Sequence, residues 1–130
     1  MTLTVHTARI STRDPDRFDV TRGSGRGDGL AFAPSQSILT PALTLRNMAA
    51  ASNGPGAVAV EDAMWALYAP AYIAEMRANY RRERGPWERL LSRERVVLVC
   101  YCANAEHCHR TLLAREILPR LGATYAGELT

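Results

Sequence analysis

The chain has 130 residues, and at this length one domain buries roughly two thirds of the surface of its unfolded chain. All 16 of its cationic side chains are arginine, and a net charge of +3 permits anionic ligands without requiring nucleic acid. No apolar run approaches the ~20 residues of a membrane span, and three cysteines are too few for a disulfide framework. We therefore expect one cytoplasmic domain over residues 1–130, with no membrane partner.

The first half of the chain predicts a strand followed by loops. Leu3 to Ile10 reads as a strand, and Asp19 to Gly29 reads as a glycine-dense loop that excludes regular structure. Leu30 to Ala33 fits a short strand, and Pro34 to Pro41 fits a turn. The pattern of Ala42 to Ala51 fits either a strand or a short helix. Residues 52–56 mark a break.

Helices and strands alternate in the second half. The buried strand Val96 to Val99 is the clearest element, because its aliphatic residues run on without alternation. The other predicted elements are helices over Glu61 to Tyr68, Pro70 to Arg84 and Trp87 to Ser92, a helix carrying Leu112 to Leu121, and an edge strand over Ala123 to Ala126. This order predicts a small α/β domain, a three-layer sandwich with a mostly parallel sheet.

The segment from Cys100 to Arg110 joins the buried strand to the last helix and holds all three cysteines. Ligands of open α/β sheets bind at this carboxyl edge, and the start of a helix favours anions. At 100° per residue, Arg110 shares the direction of the apolar face and points inward. A buried arginine needs an anionic partner, which is either a ligand or an internal carboxylate from Glu106, Asp19 or Asp28.

Cys102, Cys108 and His109 are the candidate catalytic residues. A thiol beside histidine or arginine at a helix start has a lowered pKa and serves nucleophilic or redox chemistry. The phosphatase spacing, in which arginine follows cysteine by six positions, is absent after both cysteines. The alternative is that Cys108, and more so Cys100, are packing residues.

The same segment contains soft ligands for zinc or iron in Cys100, Cys102, His107, Cys108 and His109. Their spacing matches known zinc fingers poorly, and four convergent ligands would need a distorted loop. The leading interpretation therefore requires no cofactor, and a metal or thiol redox protein is an alternative.

The glycine loop offers a second set of ligand-binding residues. Glycines let backbone N–H groups approach an anion, and Arg22 supplies charge beside Ser24. Arg9 lies near the end of the first strand and completes the predicted ligand-binding set with Arg110. The alternative is a flexible linker or lid.

An arginine-rich segment over residues 77–95 allows a third interpretation, a nucleic-acid-binding module. Arg77, Arg81 and Arg84 share one helical face. Interleaved glutamates favour instead a solvated face held by salt bridges. They are Glu75, Glu83, Glu88 and Glu94.

Several segments resemble the domain of unknown function 488 family, also described as YeaO-like. Those with the resemblance are Thr7 to Ile10, Thr21 to Gly25, Phe32 to Ser35, Cys102 with Cys108-His109-Arg110, and Gly122 to Tyr125 followed by Gly127-Glu128. The Cys-His-Arg element is the most specific. The resemblance supports a site at this position and implies no particular reaction.

Together these patterns predict a protein that binds a phosphorylated or otherwise anionic small molecule, such as a nucleotide or its derivative, at the loop 100–110. Hydrolysis or group transfer is the reaction class expected of the cysteines and His109.

Overall fold

A computed structural model describes residues 2–52, 55–102 and 104–129. Within these ranges, four strands form one sheet in which every pair is parallel, in the order β2-β3-β1-β4. The strands are β1 (Thr4–Arg9), β2 (Arg17–Asp19), β3 (Arg95–Cys100) and β4 (Thr124–Glu128). The carboxyl ends of all four therefore meet at one edge, where loops build ligand sites. The predicted α/β class and parallel sheet are confirmed.

Helices connect the strands in the described part of the chain. They are α1 (Gln36–Ser52), α2 (Pro55–Arg82), α3 (Gly85–Leu91) and α4 (His109–Leu112), with 3-10 turns over Gly27–Phe32 and Ala105–His107. The long insertion of α1 to α3 carries the chain from β2 to β3, and α4 carries it from β3 to β4.

Several predicted boundaries in the first half are wrong. The loop from Asp19 to Gly29 starts at the end of an unpredicted strand, β2, whose three residues are too few to show a periodicity. A 3-10 turn over Gly27–Phe32 includes the end of the predicted loop, which was expected to exclude regular structure, and most of the predicted strand Leu30 to Ala33. The predicted turn over Pro34 to Pro41 contains the start of α1. The segment from Ala42 to Ala51 is helical. The break predicted at 52–56 includes residues 53 and 54, which lie outside the described residues.

The two helices predicted around Pro70 form one helix, α2. A proline inside a helix removes one backbone hydrogen bond and commonly ends or kinks it, so the sequence favoured a boundary there. In the structure the helix continues through Pro70, because the residues on both sides pack against the same core: Met64, Tyr68, Tyr72 and Met76 are all buried. The remaining second-half helices and strands lie where they were predicted.

The last helix changes its winding along its length. α4 passes into a π-helical turn at Leu113–Ile117 and a 3-10 turn at Leu118–Leu121. Pro119 lacks the N–H that an α-helix would use at that position, which accounts for the change. Gly122 then ends the helix with a φ of 101°, a left-handed conformation that favours glycine.

The main core lies between one face of the sheet and the helices. Val96 and Leu98 of β3 contribute to it from the sheet, and Phe32 and Trp87 meet edge to face with ring centres 4.8 Å apart. Val97 and Val99 point to the opposite face, where they form a smaller cluster with Ala8. Burial of β3 on both faces explains its continuous apolar sequence.

Among the described helices, none is long and apolar enough to cross a membrane.

Candidate functional site

A cavity of about 570 Å³ opens at the carboxyl edge of the sheet. We call it the thiol pocket. Its walls come from the loop after β2, the end of β3, the start of α4 and the helices α1 and α2. The residues that line it are Thr21, Arg22, Gly23, Pro34, Gln36, Leu39, Ala42, Leu43, Tyr68, Cys100, Tyr101, Cys102, His107, Cys108 and His109. Its volume is in the range of small-molecule sites.

The floor of the pocket holds a thiol cluster made of Cys100, Cys102 and Cys108. Their three sulfur atoms lie within 4.8 Å of one another, and those of Cys100 and Cys102 are 3.9 Å apart. Each cysteine is a reduced thiol, with Cys100 and Cys108 buried and Cys102 half-buried. Cys100 ends β3, and Cys102 follows it two residues later, so that their sulfur atoms lie on one side. The loop then returns Cys108 to the same point at the start of α4.

His109 is held in a fixed orientation beside the cluster. Its Nε2 lies 2.7 Å from the carbonyl oxygen of Val20, which can only accept a hydrogen bond, so Nε2 carries a proton. The other ring nitrogen, Nδ1, faces the sulfur atoms of Cys100 at 3.8 Å and Cys108 at 4.0 Å. Edge contact with the buried ring of Tyr72 fixes the plane of the imidazole.

The environment separates the pKa values of the two buried thiols. Hydrogen bonding with Cys102 and Cys108 lowers the pKa of Cys100, and His109 adds to the decrease against the opposing effect of burial. Burial raises the pKa of Cys108, and its contacts with the other two sulfurs raise it further. The three thiols therefore titrate as a coupled group, in which the pKa of Cys100 is shifted down and that of Cys108 up.

All three predicted catalytic residues, Cys102, Cys108 and His109, thus face one cavity together. Their catalytic roles stay predictions. The geometry offers two kinds of chemistry: a thiol beside an imidazole acceptor, which suits nucleophilic attack, and a group of sulfurs close enough to share one metal ion. The alternative interpretation treats Cys100 as a strand residue that only packs. In the structure, its sulfur is also part of the thiol cluster.

Arg110, the predicted main anion ligand, is instead paired inside the protein. Its side chain is 0% exposed and contacts the Glu128 carboxylate through Nε at 3.1 Å and Nη2 at 2.7 Å, while Nη1 donates to the Cys102 carbonyl at 2.9 Å. Burial tends to lower the pKa of Arg110, but the contact with Glu128 outweighs this effect and raises the pKa above its ordinary value. Hydrogen bonding to Arg110 and to Thr7 lowers the pKa of Glu128, against the effect of burial.

The prediction that Arg110 points inward is confirmed, but the internal partners considered for it are wrong. The partner is Glu128 at the end of β4, the strand that follows the last helix in the chain. Asp28 pairs with Arg89, and Glu106 pairs with Arg115 on the surface. The sequence did not predict this pair, because no local sequence pattern shows that the end of β4 lies beside the start of α4.

Arg22 lines the thiol pocket and provides positive charge there. Its Nε donates to the carbonyl of Pro34 at 3.1 Å, and its Nη2 donates to the carbonyl of Ala33 at 3.2 Å. Both of these partners are neutral, so they hold the guanidinium in place without cancelling its charge. The first turn of α1 lies alongside through Gln36, with the positive end of its helix dipole.

Ser24 is committed to the interior of the glycine loop. Its hydroxyl donates to the Asp19 carboxylate at 2.5 Å, and Thr21 donates to the same carboxylate through its hydroxyl at 2.6 Å. A Cβ on Gly25 or Gly29 would clash with the backbone carbonyls of Thr21 and Asp19. These two glycines therefore allow the loop to close on itself, and Gly23 alone of the loop glycines lines the pocket.

Arg9 lies apart from the thiol pocket. It is exposed at the end of β1 and lines a different cavity of about 390 Å³ with Ala8, Ser11, Thr12, Glu128 and Leu129. The structure thus brings together Arg22 and the three candidate catalytic residues, but it does not bring Arg9, Arg110 or Ser24 to the same cavity.

The arginines of the segment 77–95 are exposed, except for the half-buried Arg95, but their described ion pairs differ from those expected. Arg95 contacts Asp14 at 2.8 Å and Asp16 at 2.9 Å, and Arg89 contacts Asp28 at 2.7 Å. These carboxylates belong to loops at the other end of the chain, and not to the interleaved glutamates. Nucleic-acid binding by this segment stays untested.

The sequence also missed the apolar wall of the pocket. Leu39 and Leu43 from α1 and Tyr68 from α2 form it. The four-residue spacing of Leu39 and Leu43 is a helical signal, but the segment was read as a turn followed by an undecided element. Tyr68 is 8% exposed and packs in the core while it also lines the cavity.

No curated protein and no solved structure matches the chain. Residues 32–121 match the family model described as "Active DUF488-N3 subclade". The match covers more than half of the chain and includes the Phe32 to Ser35 and Cys102 to Arg110 segments, whereas the other similar segments lie outside it. The protein therefore belongs to the DUF488 family of domains of unknown function.

Proposed function

We propose that the protein binds a small anionic molecule in the thiol pocket, with a nucleotide or its derivative as the ligand class. The single observation that carries the proposal is Arg22, a cation at the rim of a cavity of about 570 Å³. Its described hydrogen-bond partners are neutral carbonyls. A guanidinium that bonds only to neutral carbonyls has strong affinity for phosphate or carboxylate, because its charge is available to a ligand.

The other walls of the pocket suit an organic group attached to the anion. Leu39, Leu43 and Tyr68 provide apolar and aromatic surface on the helical side. Small-molecule sites combine such surface with a few polar groups that fix orientation. A base or another planar ring fits against this wall while a phosphate reaches Arg22.

The chemistry of a bound ligand would take place at the floor of the pocket. Cys102 and His109 line the same cavity as Arg22, so the ligand would lie within reach of a sulfur atom and an imidazole. This placement supports hydrolysis or group transfer as the reaction class. Arg110 has no direct role in this proposal, because its charge is already neutralised by Glu128.

Calorimetric titration of the full chain tests the proposal. The probes are a nucleoside monophosphate, inorganic phosphate and the matching uncharged nucleoside. We expect the monophosphate to bind more tightly than the nucleoside, and Arg22→Gln to weaken it by at least about tenfold, since hydrogen bonds to charged groups contribute about 1.5–3 kcal/mol. Arg9→Gln, which removes a cation outside the pocket, is the matched control and should bind as the parent does.

Two results would contradict the proposal. One is equal affinity for nucleoside and monophosphate, and the other is an Arg22→Gln variant with unchanged affinity. Thermal unfolding of each variant shows that a change in binding does not come from loss of the fold.

A further inference from the structure

We propose that the thiol cluster is a metal site, in which Cys100, Cys102 and Cys108 bind one zinc ion and His109 Nδ1 completes the coordination. The proposal goes beyond ligand binding by Arg22 and does not depend on it. A bound ion would engage the Cys102 thiolate and His109 Nδ1, which would then not act as nucleophile or base on a ligand. All four donor atoms come from two neighbouring segments, the end of β3 and the start of α4.

The distances between the sulfur atoms support the site. In a tetrahedral zinc centre with Zn–S bonds of about 2.3 Å, neighbouring sulfurs lie about 3.8 Å apart. Those of Cys100 and Cys102 are 3.9 Å apart, and all three sulfurs lie within 4.8 Å of one another. A single ion fits among them with only small side-chain movements.

His109 lies next to two of the three sulfurs, outside the group of three that are mutually within 4.8 Å, and its ring has the orientation of a ligand. Its Nδ1 is 3.8 Å from the sulfur of Cys100 and 4.0 Å from that of Cys108, slightly longer than the edge of a coordinated tetrahedron. Its Nε2 bonds to the backbone carbonyl of Val20. Ligating histidines characteristically donate their second ring N–H in this way, which fixes the ring orientation and the tautomer.

The charge around the cluster also suits a bound cation. Three thiolates and one divalent ion carry a net charge of −1. Three thiolates alone would carry −3, so a bound divalent ion removes most of the negative charge from a region where Cys100 and Cys108 are buried.

The cluster is also reachable from solvent. Cys102 is half-buried and lines the thiol pocket, so an ion can enter through the cavity. The other side of the cluster is closed by the buried residues of β3 and α4. A site with this burial and one open side would retain its ion against dilution.

Cobalt titration of the chelator-treated, reduced full chain tests the proposal. We expect one Co²⁺ per chain, with thiolate charge-transfer bands in the near ultraviolet, the visible bands of a tetrahedral centre, and displacement of Co²⁺ by one equivalent of Zn²⁺. Cys102→Ser should weaken Zn²⁺ binding by more than about 100-fold, and His109→Gln by about 10- to 100-fold. His6→Gln is the matched control, because it removes an imidazole on β1 that does not line the thiol pocket.

Alkylation of the thiols gives a second measurement that does not depend on the variants. Bound Zn²⁺ should slow the alkylation of Cys102, the half-buried thiol of the cluster, by iodoacetamide relative to the metal-free parent protein. Absence of the charge-transfer bands, an alkylation rate of Cys102 that Zn²⁺ does not change, or a Cys102→Ser variant with unchanged affinity would overturn the metal site. Arg22→Gln should keep its Co²⁺ spectrum, so failure of anion binding and failure of metal binding give different results.

Discussion

Arg110 and Glu128 form a two-pronged ion pair, with Nε to Oε1 at 3.1 Å and Nη2 to Oε2 at 2.7 Å. The pair joins the start of α4 to the end of β4. It neutralises a side chain that is 0% exposed, and it fixes the loop that carries Cys102 through the bond from Nη1 to the Cys102 carbonyl. Arg110 therefore supports the thiol pocket from behind and does not contact its cavity.

Removal of the carboxylate should destabilise the protein. Glu128→Ala leaves the buried charge of Arg110 without a counter-ion, and we expect the free energy of unfolding to fall by about 2 kcal/mol. This loss of stability is smaller than the loss expected when a fully buried ion pair is broken, because the Glu128 side chain is 28% exposed. Urea unfolding followed by tryptophan fluorescence measures it. Glu116→Ala, which removes an exposed carboxylate, should change stability by less than about 0.5 kcal/mol; equal losses in the two variants would contradict the prediction.

The glycine loop should be sensitive at one position and tolerant at another. A Cβ at Gly29 would clash with the backbone carbonyl of Asp19, so we expect Gly29→Ala to cost about 1–3 kcal/mol of stability. At Gly23 a Cβ meets nothing within 4 Å, and Gly23→Ala should change stability by less than about 0.5 kcal/mol. Urea midpoints of the two variants give the comparison. A Gly29→Ala protein as stable as Gly23→Ala would show that the loop does not close around Asp19.

Acid stability should depend on Asp14. Hydrogen bonds from Arg95 and from the backbone N–H of Asp16 lower the pKa of Asp14 from 3.8 to about 2. Because the folded-state pKa lies below the unfolded value, Asp14 adds stability above about pH 4, and this contribution is lost as the pH falls toward 2. The loss of stability between pH 4 and 2 should be shallower for Asp14→Asn than for the parent.

Unfolding by urea at a series of pH values measures this slope. Asp62→Asn, which changes an exposed carboxyl on α2, serves as the control and should leave the slope as in the parent. A parent-like slope in Asp14→Asn would mean that the contact with Arg95 does not persist in solution.

The strongest sequence signals predicted the elements that position the site. The unbroken apolar run of β3 and the helical spacing after it placed the three cysteines at a strand-to-helix junction. β2 and α1 were missed or left undecided. β2 has only three residues, and α1 has weak amphipathic character and a proline near its start. The sequence therefore did not show that these two elements form walls of the pocket, although the spacing of Leu39 and Leu43 is a helical signal.

What the sequence by itself determined is the set of reactive groups and their order along the chain, because β-branched runs and helical periodicity follow from local sterics and burial. Only the tertiary structure decided which groups meet. It paired Arg110 with Glu128, which stand 18 positions apart, and returned Cys108 to the sulfurs of Cys100 and Cys102. Such contacts depend on how strands and helices pack across long sequence separations, and no local pattern encodes that geometry.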